Sequence, residues 1–233
     1  MLIRLKYLIQ IFLNSYDIMF AEVFMASSMI HICVASEINK ILKRSNRGLL
    51  IGSIAPDISK QINLTKLTSH FQDANDDMPN LEKFLNKYKN KLKDDFVLGY
   101  YIHLYTDYYW FKYFITEFEK KDHIYTLDGK ALTLTKEEKT KYIYNDYTNL
   151  NIKLIDEYEL DLKIFYEPAP EFNNIISEIP MNKLNLIIDK AGIIIENTKV
   201  SKSYFFDINE VKRFISFSVN GILDNLKELG EIR

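Results

Sequence analysis

The sequence has few of the residues that mark several large classes of protein. A single cysteine, Cys33, excludes an intramolecular disulfide framework and a cysteine-rich zinc site. Seven glycines and five prolines in 233 residues exclude collagen-like and linker-rich chains. Basic and acidic residues number 30 and 32, so no general electrostatic attraction to nucleic acid is expected. No transmembrane segment is predicted, because no apolar run reaches the ~18–20 residues that span a bilayer.

The remaining composition is that of a folded domain of ordinary size. Apolar residues make up 47% of the chain, and a chain of this length buries roughly 70–75% of its unfolded surface. We therefore predict a single domain over residues 25–233. Residues 1–24 are interpreted as a leading segment, either an amphipathic helix or sequence upstream of a natural start at Met25. Because Gln10 interrupts its apolar run and no clear cleavage site follows, a cytoplasmic location is favoured over secretion.

Apolar residues recur at helical spacing along most of the chain, which predicts an all-α fold. Residues 124–134 are the exception, because alternating apolar residues flank Asp128-Gly129 there and predict one small β-hairpin. The polar stretch at residues 59–79 is interpreted as a loop. Helices are predicted over residues 27–43, 79–92, 95–120, 136–160, 171–178, 182–198 and 207–229.

Histidine is scarce, and one of the four histidines has an aspartate four positions later. On a helix, His103 and Asp107 would lie on the same face, about 6 Å apart along the axis. An imidazole and a carboxylate at this spacing can hold one divalent ion, although a His–Asp hydrogen bond within a helix pair uses the same spacing. Gly99 lies one turn earlier on this face, where the missing side chain leaves room for an ion or for a closely packed helix.

Three further residues each have a structural and a metal-binding interpretation. His31 lies among apolar residues and is either a core histidine with satisfied nitrogens or a ligand. Asp57 follows Pro56 at the end of an apolar run, where it caps a helix, forms an ion pair or binds a metal. His70 is either an ordinary surface histidine or another imidazole ligand. Mixed nitrogen and oxygen ligands of these types suit Zn²⁺, with Mn²⁺ or Fe²⁺ as alternatives.

The candidate ligands lie in four segments whose order and spacing are informative. The segments are MASSMIHICVA (25–35), IGSIAPDISK (51–60), SHF (69–71) and LGYYIHLYTDYYW (98–110). Together they resemble the metal-binding core of the zinc-dependent phospholipase C family, over about residues 25–120. The resemblance implies a helical fold, shared with zinc-dependent single-strand nucleases, and a metal cluster held between the helices.

The resemblance also implies a role for each candidate ligand. Asp107, from the His-x3-Asp element, would bridge two metal ions. Asp57, His70 and His103 would complete the site of one ion. His31 would serve the neighbouring ion. Residues 25–233 would then form a single metal-dependent hydrolase-like domain.

The chain departs from this family in its remaining ligands. Secreted members use an N-terminal tryptophan as a ligand, whereas the only tryptophan here is Trp110. Those members also have a downstream histidine and a His-x3-Glu pair, whereas only His123 follows Asp107, and it is interpreted as a surface residue. Asp146 is the candidate for a further ligand from a later helix, the alternative being an exposed helical aspartate. Two zinc ions are therefore favoured over three.

These residue types predict metal-assisted hydrolysis, and the family resemblance implies that it acts at phosphorus. A bound divalent ion makes hydroxide available at neutral pH, and two ions can clamp a phosphate diester. Asp57 is the candidate catalytic residue, either as a ligand or as the acceptor of the water's proton. We therefore predict a phospholipase C-like phosphoester hydrolase acting on a small phosphoester or a phospholipid. The alternatives are a different His/Asp phosphohydrolase and a non-catalytic protein whose metal braces the helices.

Overall fold

The structure is a computed structural model that describes residues 25–75, 77–120, 123–167, 172, 175–196 and 202–232. The predicted leading segment, residues 1–24, lies outside the described residues. The α-helices are α1 Ser28–Leu42, α2 Asn46–Gly52, α3 Ile58–Gln61, α4 Lys66–Ser69, α5 Leu81–Tyr88, α6 Asp95–Tyr109, α7 Ile115–Phe118, α8 Lys136–Tyr158, α9 Leu184–Glu196 and α10 Ile208–Glu228. The strands are β1 Glu119–Lys120, β2 His123–Tyr125 and β3 Ala131–Leu132. Short 3₁₀ turns occupy Ala55–Asp57, Lys89–Lys91, Lys163–Phe165 and Met181–Lys183.

The predicted all-α fold with one small hairpin is confirmed. Strands β2 and β3 pair antiparallel, with Ile124 opposite Leu132. Gly129 in the connecting turn has a φ of 78°, a left-handed conformation that costs glycine little. Strand β1 was not predicted, and it pairs antiparallel with β2 to make a three-stranded sheet in the order β1-β2-β3.

Side-chain caps fix where the main helices begin. The Ser27 side chain accepts a hydrogen bond from the backbone N–H of Ile30 at the start of α1. The Asp94 carboxylate accepts two backbone N–H groups at the start of α6. Thr135 and Glu138 form a reciprocal capping box at α8. These three helices therefore begin where polar side chains satisfy otherwise unpaired N–H groups.

Two predicted segments differ from the structure. Residues 59–79 were interpreted as a loop, but they contain the last three residues of α3 and all of α4. Residues 171–178 were predicted to be helical, but residues 172 and 175–178 form no helix. In that second segment the backbone N–H of Ser177 bonds to the Tyr88 hydroxyl, and the Glu178 carboxylate accepts a hydrogen bond from the same hydroxyl. Partners outside the segment thus replace the hydrogen bonds of a helix.

The predicted helix over residues 95–120 is divided by a π-helical turn at Trp110–Phe114. Such a turn inserts one extra residue into the helical repeat. Trp110 is fully buried there, packed against the rings of Phe114, Phe206 and Phe214. The turn separates α6, which carries His103 and Asp107, from the short α7.

Helix α6 lies at the centre of the fold and meets α2 at very short range. A Cβ atom added to Gly99 would lie 2.0 Å from the carbonyl oxygen of Leu49 in α2. A Cβ added to Gly52 would lie 2.2 Å from the carbonyl oxygen of Phe96 in α6. The two backbones are in contact, so the space at Gly99 is used by a neighbouring helix. Over the described ranges, no helix is both long and apolar enough to cross a membrane.

Candidate metal centre

Five of the predicted site residues come together in the buried core. His103 and Asp107 lie one turn apart on α6, and His31 lies on α1. Asp57 ends a 3₁₀ turn, and His70 directly follows α4. None of the five is more than 4% exposed. The short helices in the segment interpreted as a loop are what bring His70 into the interior.

Asp107 lies in the middle of this cluster, with its two oxygens facing different imidazoles. Its Oδ1 lies 3.2 Å from Nε2 of His31 and accepts the backbone N–H of Ala26 at 3.1 Å. Its Oδ2 lies 3.3 Å from Nε2 of His103 and 3.5 Å from Nε2 of His70. One carboxylate therefore connects three histidines from three different parts of the chain.

The backbone carbonyl of Ser53, the residue that caps the C-terminus of α2, sets the tautomer of His103. Nδ1 of His103 lies 2.7 Å from the carbonyl oxygen of Ser53. Because a carbonyl can only accept, Nδ1 carries a proton, and in the neutral ring Nε2 presents its lone pair to the cluster. Nε2 of His70 lies 3.1 Å from Nε2 of His103. The bond from Nδ1 of His103 to the Ser53 carbonyl is of the kind that usually orients a ligating histidine.

Two of the histidines, His70 and His31, are held in an environment that disfavours their protonated forms. Burial, reinforced by the charge of Lys66, lowers the pKa of His70 to about 3. Burial, reinforced by His103, also lowers the pKa of His31, whose ring stacks on His103 with centroids 3.8 Å apart. These two imidazoles are therefore neutral at neutral pH, the form that binds metal.

Both aspartates are held in the charged form. Burial by itself would raise the pKa of Asp107, but the adjacent His31 and His103 lower it well below its usual range. Burial likewise opposes ionisation of Asp57, but the charge of Lys66 together with the adjacent His70 and His103 lowers the pKa of Asp57. The cluster thus combines two carboxylates with imidazoles, a donor set that suits zinc.

The donor atoms fit a metal ion by position as well as by type. His31, His103 and Asp107 each offer one ligand atom within 4.8 Å of the others, and so do Asp57, His70 and His103. Among the described residues, Nε2 of His31 and Oδ2 of Asp107 are buried without a hydrogen-bond partner. Buried polar atoms normally have hydrogen-bond partners. These two atoms are instead placed to donate lone pairs to a metal ion. The buried His/Asp groups can therefore hold a metal ion.

The structure does not bring Asp146 into this cluster. Asp146 is fully buried on α8, so the alternative of an exposed aspartate is wrong. Its carboxylate accepts backbone N–H groups of Tyr204 at 2.8 Å, Phe205 at 2.7 Å and Phe206 at 3.4 Å. Because these bonds use both oxygens, Asp146 fixes the segment that precedes α10. His123 is exposed, as predicted, and contacts the hydroxyl of Thr133.

Lys66 is the site residue that the sequence analysis missed. Its Nζ lies 2.8 Å from Oδ1 of Asp57, and its side chain is 5% exposed. Lys60 approaches the same oxygen at 3.7 Å. The signal available in the sequence was the spacing of Lys66 and His70, four positions apart, which places them one helical turn from each other. Interpreting residues 59–79 as a loop concealed that signal.

Comparison with known proteins gave no match. No protein-family model matches the chain, and neither does any curated protein or solved structure. The resemblance to the zinc-dependent phospholipase C family therefore stays a prediction, based on the four sequence segments quoted above.

Proposed function

We propose that the protein is a metal-dependent phosphoester hydrolase with phospholipase C-like chemistry. The observation that carries this proposal is the overlap of two groups of potential ligands. The two groups meet at His103, whose single free lone pair can serve one ion, and Asp107 directs one oxygen towards each side of the cluster. Neighbouring metal positions of this kind are typical of enzymes that clamp a phosphoester during hydrolysis.

Each residue of the cluster has a place in the proposal. Asp57, His70 and His103, with Asp107, would hold one ion, and His31 with Asp107 would hold a neighbouring one. Zinc is favoured over manganese and iron. Bound ions of this type supply positive charge for phosphoryl oxygens and make water acidic enough to ionise near neutral pH. Asp57 would hold the ion or orient the attacking water through its ionised carboxylate.

The ion pair with Lys66 bears on the catalytic role proposed for Asp57. A general base works best when its pKa is close to the working pH, whereas Lys66 lowers the pKa of Asp57. This favours Asp57 as a ligand or hydrogen-bond acceptor over Asp57 as the final proton acceptor. The substrate we propose is a small phosphoester or a phospholipid. We also propose a cytoplasmic location, based on the interrupted apolar run of residues 1–24.

One observation favours a second candidate, a protein in which the metal only braces the helices. His31, His70, His103 and Asp107 are 0% exposed. A structural zinc site is closed by protein ligands, whereas a catalytic site keeps a position open to water and substrate. Complete burial of four potential ligands fits such a closed site.

Metal content and activity, measured on the same variants, test the proposal. The full chain would be analysed for bound metal and assayed on a generic phosphodiester, a phosphomonoester and a short-chain phosphatidylcholine. We expect chelation to abolish activity and Zn²⁺ or Mn²⁺ to restore it. His103→Ala should lose metal and activity together, and His123→Ala, a histidine outside the cluster, should lose neither.

The catalytic and structural candidates differ in one result. Asp57→Asn should lose more than ~100-fold in rate with its fold retained, the scale of a positioned acid–base group. Metal-loaded protein that is inactive on all three substrates would instead support the structural candidate. Protein that binds no metal under any condition would refute both.

A further inference from the structure

Lys66 is a buried cation placed against a potential metal ligand. Its ammonium lies 2.8 Å from Oδ1 of Asp57, and the two side chains are only 5% and 6% exposed. The backbone carbonyl of Lys66 accepts the N–H of His70 at 2.8 Å. One helical turn therefore delivers both an imidazole and an ammonium group to the same side of the cluster.

The oxygen contacted by Lys66 is the one that faces the imidazole of His70. Oδ1 of Asp57 lies 3.6 Å from Nε2 of His70, and Asp57 and His70 belong to the same group of potential ligands. An ammonium and a divalent ion in this position would be two cations sharing one carboxylate oxygen. Their repulsion is strong in a buried site, where water screens charge poorly.

A buried carboxylate needs a cation in any state of the protein. An isolated ionised carboxylate in the interior is too costly to persist, and removing one partner of a buried ion pair is strongly destabilising. In the metal-free cluster Lys66 meets this need for Asp57. With an ion bound, the need is met by the ion itself.

We propose that Lys66 is an internal counter-cation that occupies the Asp57 side of the centre in the metal-free protein and is displaced when a metal binds. The inference rests on the proposed metal binding. Lysine suits this role because a compact charge on a flexible four-carbon stem can withdraw without moving the backbone. The side chain of Lys60, 3.7 Å from the same oxygen, is 22% exposed, so solvent lies close to the ammonium. Lys66 therefore weakens metal binding while it stabilises the metal-free fold.

Zinc affinity of substituted proteins tests this exchange. The full chain, stripped of metal, would be titrated with Zn²⁺ against a chromophoric chelator, and its melting temperature measured with and without zinc. Lys66→Met should bind zinc at least ~10-fold more tightly than the wild type, because one nearby positive charge is gone. Its metal-free form should melt at a lower temperature than the metal-free wild type, and zinc should raise its melting temperature by more than it raises that of the wild type.

Two controls separate charge from shape. Lys66→Arg keeps the charge and should bind zinc within ~3-fold of the wild type, since the repulsion stays. Lys40→Met removes a lysine that is 56% exposed and paired with Glu37 at the surface, and it should change neither quantity. If Lys66→Met folds only when zinc is present, the ion has replaced the ammonium completely. The zinc affinity is then measured on Lys66→Gln instead.

The outcomes distinguish this inference from the proposed function. A wild type that binds zinc together with a Lys66→Met variant that binds it equally or more weakly overturns the inference and leaves the proposed function standing. The inference is also overturned if Lys66→Arg binds as tightly as Lys66→Met. Zinc binding by Lys66→Met but not by the wild type supports it. Absence of binding in every variant refutes the proposed function and this inference together.

Discussion

Substituting Gly99 with alanine should push apart the two helices that hold His103. The added Cβ would lie 2.0 Å from the carbonyl oxygen of Leu49, 2.9 Å from its carbonyl carbon and 3.0 Å from the backbone nitrogen of Ser53. All three atoms are backbone atoms of α2 or of its C-terminal cap, so no side chain can rotate away. The helices must separate by roughly 1.3 Å before the carbon–oxygen contact reaches an ordinary ~3.3 Å.

The expected loss of stability follows from three contributions. Overpacking of a close-packed interior costs about 1–3 kcal/mol, and a contact between two backbones belongs at the upper end. Separation also stretches the hydrogen bond between His103 and the Ser53 carbonyl, at about 1 kcal/mol. Alanine recovers about 1 kcal/mol through its higher helix propensity. The net loss is about 3 kcal/mol, or roughly 6–12 °C in melting temperature for a chain of this length.

Gly192 provides the matched control, because it lies inside helix α9 with room around it. A Cβ at Gly192 would meet only the carbonyl oxygen of Phe165, at 3.9 Å. Gly192→Ala should therefore raise stability by about 0.5–1 kcal/mol. Thermal unfolding followed by circular dichroism measures both variants. A Gly99→Ala protein as stable as Gly192→Ala would show that the close approach of α2 and α6 is not required.

Two further predictions concern acid and Asp146. The metal-free protein should lose stability as the pH falls from about 6.5 towards 3. The pKa of His70 is about 3 in the folded protein and 6.5 ordinarily, so the unfolded chain takes up the proton first. A melting temperature that stays constant or rises as the pH falls over this range, measured in chelator, would contradict the lowered pKa of His70. Asp146→Ala should lower the free energy of unfolding by about 3 kcal/mol, because three backbone N–H groups lose their charged acceptor. The variant should still bind zinc as the wild type does. A loss of zinc affinity in a folded Asp146→Ala protein would restore Asp146 as a ligand.

Local spacing was enough to predict part of the centre. His103 and Asp107 share a helix face whatever the tertiary structure is, because their separation of four positions fixes it. Asp57 and His70 could be proposed as ligands from the sequence, but their burial depends on α3 and α4. Those helices have only four residues each, too few to show a periodic pattern in a polar segment.

Contacts between distant parts of the chain explain what the sequence could not predict. Asp146 bonds to backbone groups 58 to 60 positions away, and nothing around residue 146 indicates that partner. The carbonyl of Ser53 that orients His103 is 50 positions from it and belongs to the backbone, which leaves no signature in residue types. Gly99 was ambiguous for a related reason, because the sequence does not indicate whether an ion or a neighbouring helix fills the space left by the missing side chain.

The π-helical turn gives this protein an internal optical reporter. Trp110 is the only tryptophan, so all intrinsic tryptophan emission comes from one position, three residues after Asp107. Its indole is excluded from water and lies 5.7 Å, centroid to centroid, from the ring of Phe206, whose backbone is held by Asp146. Emission at short wavelength therefore reports an intact interior at the end of α6. A shift to longer wavelength without loss of helical circular dichroism would indicate local opening beside the centre, distinct from unfolding of the whole chain.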